Sequence, residues 1–317
     1  NDGVYFIQNP QFQNFSFTSG RKILPVSSAA FVEKSIVVGT NNGLFIFDKT
    51  NNNTQTIITP DELFNETVYG IYPLGKDVLY SKTNSANNKK GTYLLNNKIY
   101  NFTPFASRLF KYCSNTEEAY MADGTATLFK IKNYKSEKYS VVDTLISYPD
   151  YRTKINTIYE LNDNLLVGTS DGLSVYNFKN KNYKNYKNQL FSFTINDIKR
   201  FNNKTYLAHE NGITIFEDSA LIQEIGTQQL TAVKKIKFHQ NRIWIATLDG
   251  LFICENDFKP IVIYNKSNGL LSNTINDIVF EGDNCCICSD KGITLCTINN
   301  LLKQRRVANK LFITTID

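Results

Sequence analysis

Tyr151 stands directly before Arg152 in this 317-residue chain, and the pair has a clear chemical use. A guanidinium grips a carboxylate or sulfate through two parallel hydrogen bonds, and an aromatic ring stacks on a sugar face. Asn156, Asn196 and Asn276 could add amide hydrogen bonds to the same ligand. The last two belong to a segment, TINDI, that occurs verbatim at 194–198 and 274–278, with KINTI at 154–158 its close relative. Asp197 and Asp277, one residue further on, could form part of an acidic ring or hold a cation. A recurring structural hydrogen bond to a turn is the favoured reading, because the same place in each repeat meets the same structural need. His209, beside Glu210, has no Ser, Cys or carboxylate partner identifiable from sequence, which is thin ground for acid–base catalysis.

Three of the six cysteines, Cys285, Cys286 and Cys288, crowd one predicted strand. Strand alternation puts Cys286 and Cys288 on one face and Cys285 on the other, which makes a poor three-thiol metal site. The chain has only two histidines, His209 and His239, and they are not spaced with the cysteines as zinc ligands are. Small buried hydrophobes are the expected role, and neither a metal nor a cofactor is expected. Cys254 and Cys296 occupy equivalent places in neighbouring repeats, so a disulfide between them stays open.

The elements that must position these residues repeat along the chain. A glycine-centred pattern is clearest at Ile36 to Asp48, Leu165 to Asn177, Thr205 to Glu217, Ile243 to Glu255 and Cys286 to Thr297, with weaker copies at Val78 to Leu95 and Ala119 to Lys130. The pattern glycines are Gly3, Gly43, Gly91, Gly124, Gly172, Gly212, Gly250 and Gly292. Their spacing averages about 40 residues, the length of a four-stranded propeller blade. Each copy reads as a β-hairpin: an apolar alternating strand, a short polar turn, a glycine and a second alternating strand. A TINDI-like strand lies upstream of most hairpins. Downstream comes a polar segment such as Tyr183 to Asn188 or Lys259 to Ser267, suited to an outer edge where lysines discourage further pairing.

Composition agrees. Hydrophobic residues make up 42% and aromatic residues 13%, enough for a packed core. No apolar run approaches the roughly 18 residues of a membrane span, and a turn of helix is expected only near Asn300 to Arg305. Asn1 begins inside a repeat, with no leader signal, so a fragment of a longer protein is expected. The net charge of +6 invites a nucleic-acid partner. The lysines, however, read as scattered over outer strands and loops, and the short basic cluster Leu302 to Arg306 lacks an accompanying aromatic motif, so a solvated face is expected instead.

Asn268 to Asn284 and Arg242 to Leu251, the latter with Ala246 where glycine is usual, resemble the two halves of the two-component regulator propeller repeat. The resemblance covers nearly the whole chain and is degenerate around Gly91 and Gly124. It implies an all-β propeller of seven four-stranded blades, with eight as the alternative, forming one domain over residues 1–317. An N-terminal strand would complete the last blade beside Gly292 to Ile298, with Lys310 to Asp317 competing for that place. Trp244 falls where the repeat places an aromatic, so packing between blades is its expected role. The resemblance further implies a non-enzymatic periplasmic or extracellular sensor, one part of a membrane-anchored signalling protein of Bacteroidetes type that responds to carbohydrate-derived ligands. Kinase and membrane segments would lie outside this sequence. The expected partners are an oligosaccharide and a second copy or adjacent propeller, with no nucleic acid. A protein-interaction scaffold without a small ligand and a propeller lyase or hydrolase are the alternatives.

In such a fold, the loops from each outer strand to the next inner strand share one face with the turns of the middle hairpins, and that face rims the central channel. Tyr151, Arg152, Asn156, Asn196, His209 and Asn276 are the ligand-binding candidates placed there, with Arg152 beside Tyr151 the first to test.

Overall fold

A computed structural model describes residues 12–19, 21–48, 55–56, 67–74, 77–83, 91–96, 98–101, 107–112, 118–124, 126–133, 140–186, 193–217, 220–225, 230 and 232–303. Among them are seven four-stranded antiparallel sheets and one short hairpin, Thr18–Ser19 with Lys22–Ile23. The fourth sheet shows the plan: Ile155–Leu161, Asn164–Thr169, Gly172–Asn177 and Asn182–Tyr186 are neighbours in that order, from inside to outside. Its second strand is buried at every position from Leu165 to Thr169, because a neighbouring sheet covers each face. The outermost strand is largely exposed, which explains its Asn, Lys and Tyr content.

Two kinds of turn make the sheets. The inner hairpin closes through residues in the left-handed region, as at Asn202 and Asn203 (φ 48° and 60°), the conformation that a two-residue loop matched to strand twist requires. At the other end, a hydroxyl staples the middle hairpin. Thr169 Oγ1 accepts from the N–H of Asp171 (3.1 Å) and donates to the carbonyl of Gly172 (2.9 Å). Thr40, Thr247 and Ser289 make the same pair of bonds. The glycine that follows carries positive φ, 134° at Gly292, where a side chain would also lie 2.0 Å from the carbonyl oxygen of Phe15.

The innermost strands of sheets one to seven are Val26–Val32, Thr67–Leu74, Ser107–Tyr112, Ile155–Leu161, Ile195–Phe201, Lys235–His239 and Ile275–Glu281. Each contacts the next, and the seventh contacts the first, so the sheets form a closed ring, the arrangement of a propeller. The hydrophobic core is divided among the seams between neighbouring sheets. Trp244, fully buried, meets Phe280 of the next sheet edge to face at 4.9 Å, the packing expected of it. A methyl group at Gly168 would come within 2.6 Å of Ile195 in the next sheet, so the close approach there excludes a larger residue.

The strand Gln13–Phe15 pairs with Gly292–Thr297 and is the outermost strand of the seventh sheet, as expected of the N-terminal segment. Lys310 to Asp317 lies outside the described residues, as do Gly3 and most of the basic cluster at 302–306. The helical turn expected near Asn300 is a helix over Ile298–Lys303. The five described cysteines are buried and form no disulfide with one another. Cys285 packs in the seam toward the sixth sheet and Cys286 and Cys288 in the seam toward the first, as alternation requires. Cys254 and Cys296 belong to different seams.

Candidate functional site

The centre of the ring is a cavity of about 460 Å³ walled by residues from all seven innermost strands. Strand alternation sends every second side chain of these strands toward it. Equivalent positions, aligned by their pairing with the second strands, form two levels. Asp197, Lys235 and Asp277 occupy one level in successive sheets, with Ser28 and Thr157 at the same level further round. Two residues on, Lys111, Lys199, Lys237 and Tyr72 occupy the second level. Tyr72 folds back against Gly70, where an added Cβ would sit 2.4 Å from the tyrosine oxygen.

The recurrent Asn–Asp pair is mainly a device for joining sheets. Strand pairing slips by one residue at Asn156, Asn196 and Asn276, and the extra residue turns its amide toward the next sheet. Asn156 Nδ2 donates to the carbonyl of Ile195 (3.1 Å), Asn196 Nδ2 to Val233 (2.8 Å) and Asn276 Nδ2 to Val26 (2.8 Å). Ser27 makes the equivalent bond to Val68 through its hydroxyl. Asp197 joins three sheets: its carboxylate accepts from Thr157 Oγ1 on one side (3.5 Å), from the backbone N–H of Ile236 on the other (3.1 Å), and from Lys199 in its own strand (3.0 Å). Asp277 accepts from Ser28 Oγ (2.9 Å) and pairs with Lys237 (3.3 Å). The hydrogen bonds expected at these aspartates therefore exist, but they run between sheets and not to a turn.

Electrostatics within the cavity is dominated by lysine. Burial alone would raise the Asp197 carboxyl, yet Lys199, Lys235 and Lys237 outweigh it and hold the group at about 2. Lys199 sits below its ordinary value because burial, with repulsion from Lys237 and Lys235, exceeds the pull of Asp197. Lys237 is raised: burial works against its charge, but Asp277 and Asp197 prevail. The expectation that lysines lie on outer strands and loops is thus corrected at Lys111, Lys199, Lys235 and Lys237, which are on innermost strands and line the cavity.

The six candidates from sequence are dispersed. Asn156 lines the cavity, and Asn196 and Asn276 stand at the same bulge level in their own sheets. Tyr151, 74% exposed, and Arg152 lie in the loop leading into the fourth sheet. Arg152 already grips a carboxylate with both arms: Nε and Nη2 each lie 3.0 Å from an oxygen of Asp150, whose carboxyl it holds below the usual range. Their neighbours Asp150 and Thr153 border a separate polar hollow of about 140 Å³ that also includes Asp171 and Ser174.

His209 is buried in the place of the stapling threonine. Its Nδ1 accepts from the N–H of Asn211 (3.2 Å), its Nε2 lies 3.0 Å from Thr214 Oγ1, and Phe193 stacks on the ring. Burial lowers the imidazole from 6.5 to about 4. A base held neutral by the fold contributes stability that is complete above the unfolded value and is lost as pH falls toward the folded one. Between pH 7 and pH 4.5 this histidine should cost the protein about 2–3 kcal/mol. His209→Thr, which restores the hydroxyl staple, is expected to remove that part of the pH dependence. Urea unfolding of both proteins at the two pH values tests this, and equal pH losses would show that His209 does not carry it.

Sequence reasoning missed the lysines of the cavity. Lys199 was within reach, since it lies two residues beyond Asp197 and strand alternation puts both on one face. Lys235 and Lys237 sit in a repeat that lacks the Asn–Asp pair, and Lys111 in one too degenerate to align.

No family model and no curated protein sequence matches this chain. Solved structures do match in fold. The extracellular domain of the putative hybrid two component system BT4673 from B. thetaiotaomicron is 20% identical with a TM-score of 0.70, over 90% of this chain and 39% of that one. The corresponding domain of BT3049 from the same organism is 16% identical with a TM-score of 0.71, over 97% and 45%. The computationally designed Ika8 protein is 9% identical with a TM-score of 0.57, over 86% and 83%. The chain spans less than half the length of the two extracellular domains, and what it shares with them is the fold.

Proposed function

We propose that this chain is a seven-bladed, non-enzymatic ligand-recognition propeller, the extracytoplasmic sensor part of a two-component-type signalling protein that responds to a carbohydrate-derived ligand. The observation that carries the reading is the polar cavity at the ring centre, whose volume of about 460 Å³ suits a small-molecule site. The fold likeness to extracellular domains of putative hybrid two component systems supports the sensor role. Among the described residues, the two carboxylates lining the cavity, Asp197 and Asp277, are each paired with a lysine. The scaffold alternative calls for a continuous apolar patch. Among the described residues, the exposed large hydrophobics are Ile23, Val141, Tyr151 and Leu248, spread over different parts of the ring.

Signalling would follow from a ligand that favours one arrangement of this propeller against a second copy or an adjacent propeller, since only differential affinity shifts an equilibrium. Thermal unfolding against a panel of neutral and acidic oligosaccharides tests the reading. One glycan class is expected to raise the unfolding temperature saturably, and Asn156→Ala, at the cavity wall, is expected to weaken that effect. A flat response to every class would remove the sensor reading.

A further inference from the structure

One register position of the middle hairpin, counted back from its turn, pairs Ile36 with Phe47, Leu165 with Tyr176, Thr205 with Phe216 and Ile243 with Cys254. In the seventh sheet the same position sets Cys285 opposite Cys296, in a seam where Phe12, Tyr264 and Leu301 pack in the same cluster. Directly opposite residues of an antiparallel pair have Cα atoms about 4.5–5.5 Å apart, inside the span of roughly 4.4–6.8 Å that a disulfide bridges. The Cys296 thiol donates to the carbonyl of Cys285 (3.9 Å), so its sulfur is turned toward the facing strand. No other two of the described cysteines are placed this way. Cys286 faces Leu295, Cys288 faces Ile293 and, in the sixth sheet, Cys254 faces Ile243. Cys286 and Cys288 share one face of a single strand, where a two-residue step separates Cα atoms by about 6.6 Å, at the outer limit for a bridge.

We propose that Cys285 and Cys296 form a site of covalent oxidation, at which a disulfide joins the second and third strands of the seventh sheet. The inference goes beyond the ligand reading, since neither cysteine lines the cavity. The oxidant is a low-molecular-weight disulfide, of the kind found in the extracytoplasmic surroundings proposed above; the pairing itself does not depend on that location. Cys296 is 8% exposed against 1% for Cys285, so it takes the first step. Its thiolate attacks one sulfur of the incoming disulfide, which forms a mixed disulfide and expels one small thiolate to take up a proton. Cys285 then gives up its proton and attacks the Cys296 sulfur, expelling the second small thiol. The protein has lost two hydrogens and two electrons, and the small disulfide has been reduced to two thiols. Burial, with the Cys296 thiol beside it, pushes the Cys285 thiol well above its ordinary value. Exchange in either direction therefore waits on opening of the seam, and the bond forms slowly and lasts. It would secure the strand Gly292–Thr297, on which the closing strand Gln13–Phe15 pairs.

The reduced whole chain, kept folded with oxidised glutathione and then alkylated as it is unfolded, tests this by mass spectrometry. Loss of two of the six thiols is expected, with the tryptic peptide 267–291 linked to 292–303. Cys285→Ser and Cys296→Ser should each abolish the link, while Cys286→Ser and Cys288→Ser should keep it, which assigns the bond within a peptide that holds three cysteines. Should a serine variant not fold, fragmentation of the linked peptides from the native chain carries the assignment. The oxidised chain should exchange amides more slowly over Asn284–Thr297 than the reduced chain. Its urea midpoint should rise only modestly, because the bond closes a short loop. A link through Cys286 or Cys288, a glutathione adduct that never resolves into a link, or a link formed only after unfolding would each overturn the inference. So would a linked chain that unfolds at lower urea than the reduced one, since the bond would then be foreign to the fold. None of these outcomes alters the glycan response, which is measured separately and decides the sensor reading alone.

Discussion

Phe17→Ala is expected to destabilise the protein by about 3–5 kcal/mol, as large-to-small changes at buried aromatic sites do. Phe17 is 1% exposed and packs against Phe45 of the first sheet, ring centres 4.9 Å apart and planes tilted by 50°. It shares its cluster with Val26 and Ile36 of the first sheet and with Cys286, Cys288 and Ile293 of the seventh. The side chain therefore fills the seam where the ring meets itself. The residues just before it fasten the same region: Gln13, Asn14 and Phe15 pair with Leu295, Thr294 and Ile293, and Phe12 packs on Tyr264 of the sixth sheet. Loss of Phe17 should thus loosen a junction and not merely leave a hole in one sheet. Urea unfolding gives the magnitude, and amide exchange gives the location: protection over Gly292–Thr297 should fall in the variant more than protection over Gly172–Asn177, on the far side of the ring. Uniform loss of protection would mean that the closing strand contributes no more than any other part of the core.

That junction was legible in the sequence as a need, because a repeat array leaves one sheet a strand short, and the opening segment has the alternation to supply it. The hairpins were legible for a local reason: Gly172, Gly212, Gly250 and Gly292 all adopt positive φ, a demand met within four residues of chain. The role of TINDI was harder to read. Its asparagines and aspartates look like site residues because they are polar, recurrent and near the channel. The asparagines, however, bind backbone groups beyond their own sheet, 37 residues away for Asn196 and 250 for Asn276, and the aspartates bind mainly side chains, among them Thr157 and Ser28 of neighbouring sheets. A repeat shows that a position matters without showing whether its side chain turns inward to a ligand or sideways to a neighbour. The cavity lysines posed the reverse difficulty. Lys235 occupies the level that its neighbours fill with aspartate, so alignment of the repeats alone would mark it as a deviation. Only the closed ring reveals that this deviation places a cation between two anions.

Asp197→Ala is expected to cost about 3–5 kcal/mol, the usual penalty when one member of a buried charged network is removed and the others remain. The carboxylate is 1% exposed, and its loss would leave the N–H of Ile236 without its acceptor and Lys199 and Lys235 facing each other without a counter-charge. Asp197→Asn separates the two consequences. The amide can still accept from Ile236 and Thr157, so a cost well below that of Ala would assign the role to hydrogen bonding, whereas a similar cost would assign it to charge. Charge should prevail, because three lysines hold this carboxyl far below its ordinary value. A depressed carboxyl contributes stability that is present above the unfolded value, near 4, and is lost as pH falls toward 2. Acid unfolding of the native chain should therefore steepen below pH 4, after the histidine contribution has been spent, and that final limb should flatten in Asp197→Asn. A variant that keeps the full limb would show that other carboxylates govern acid stability.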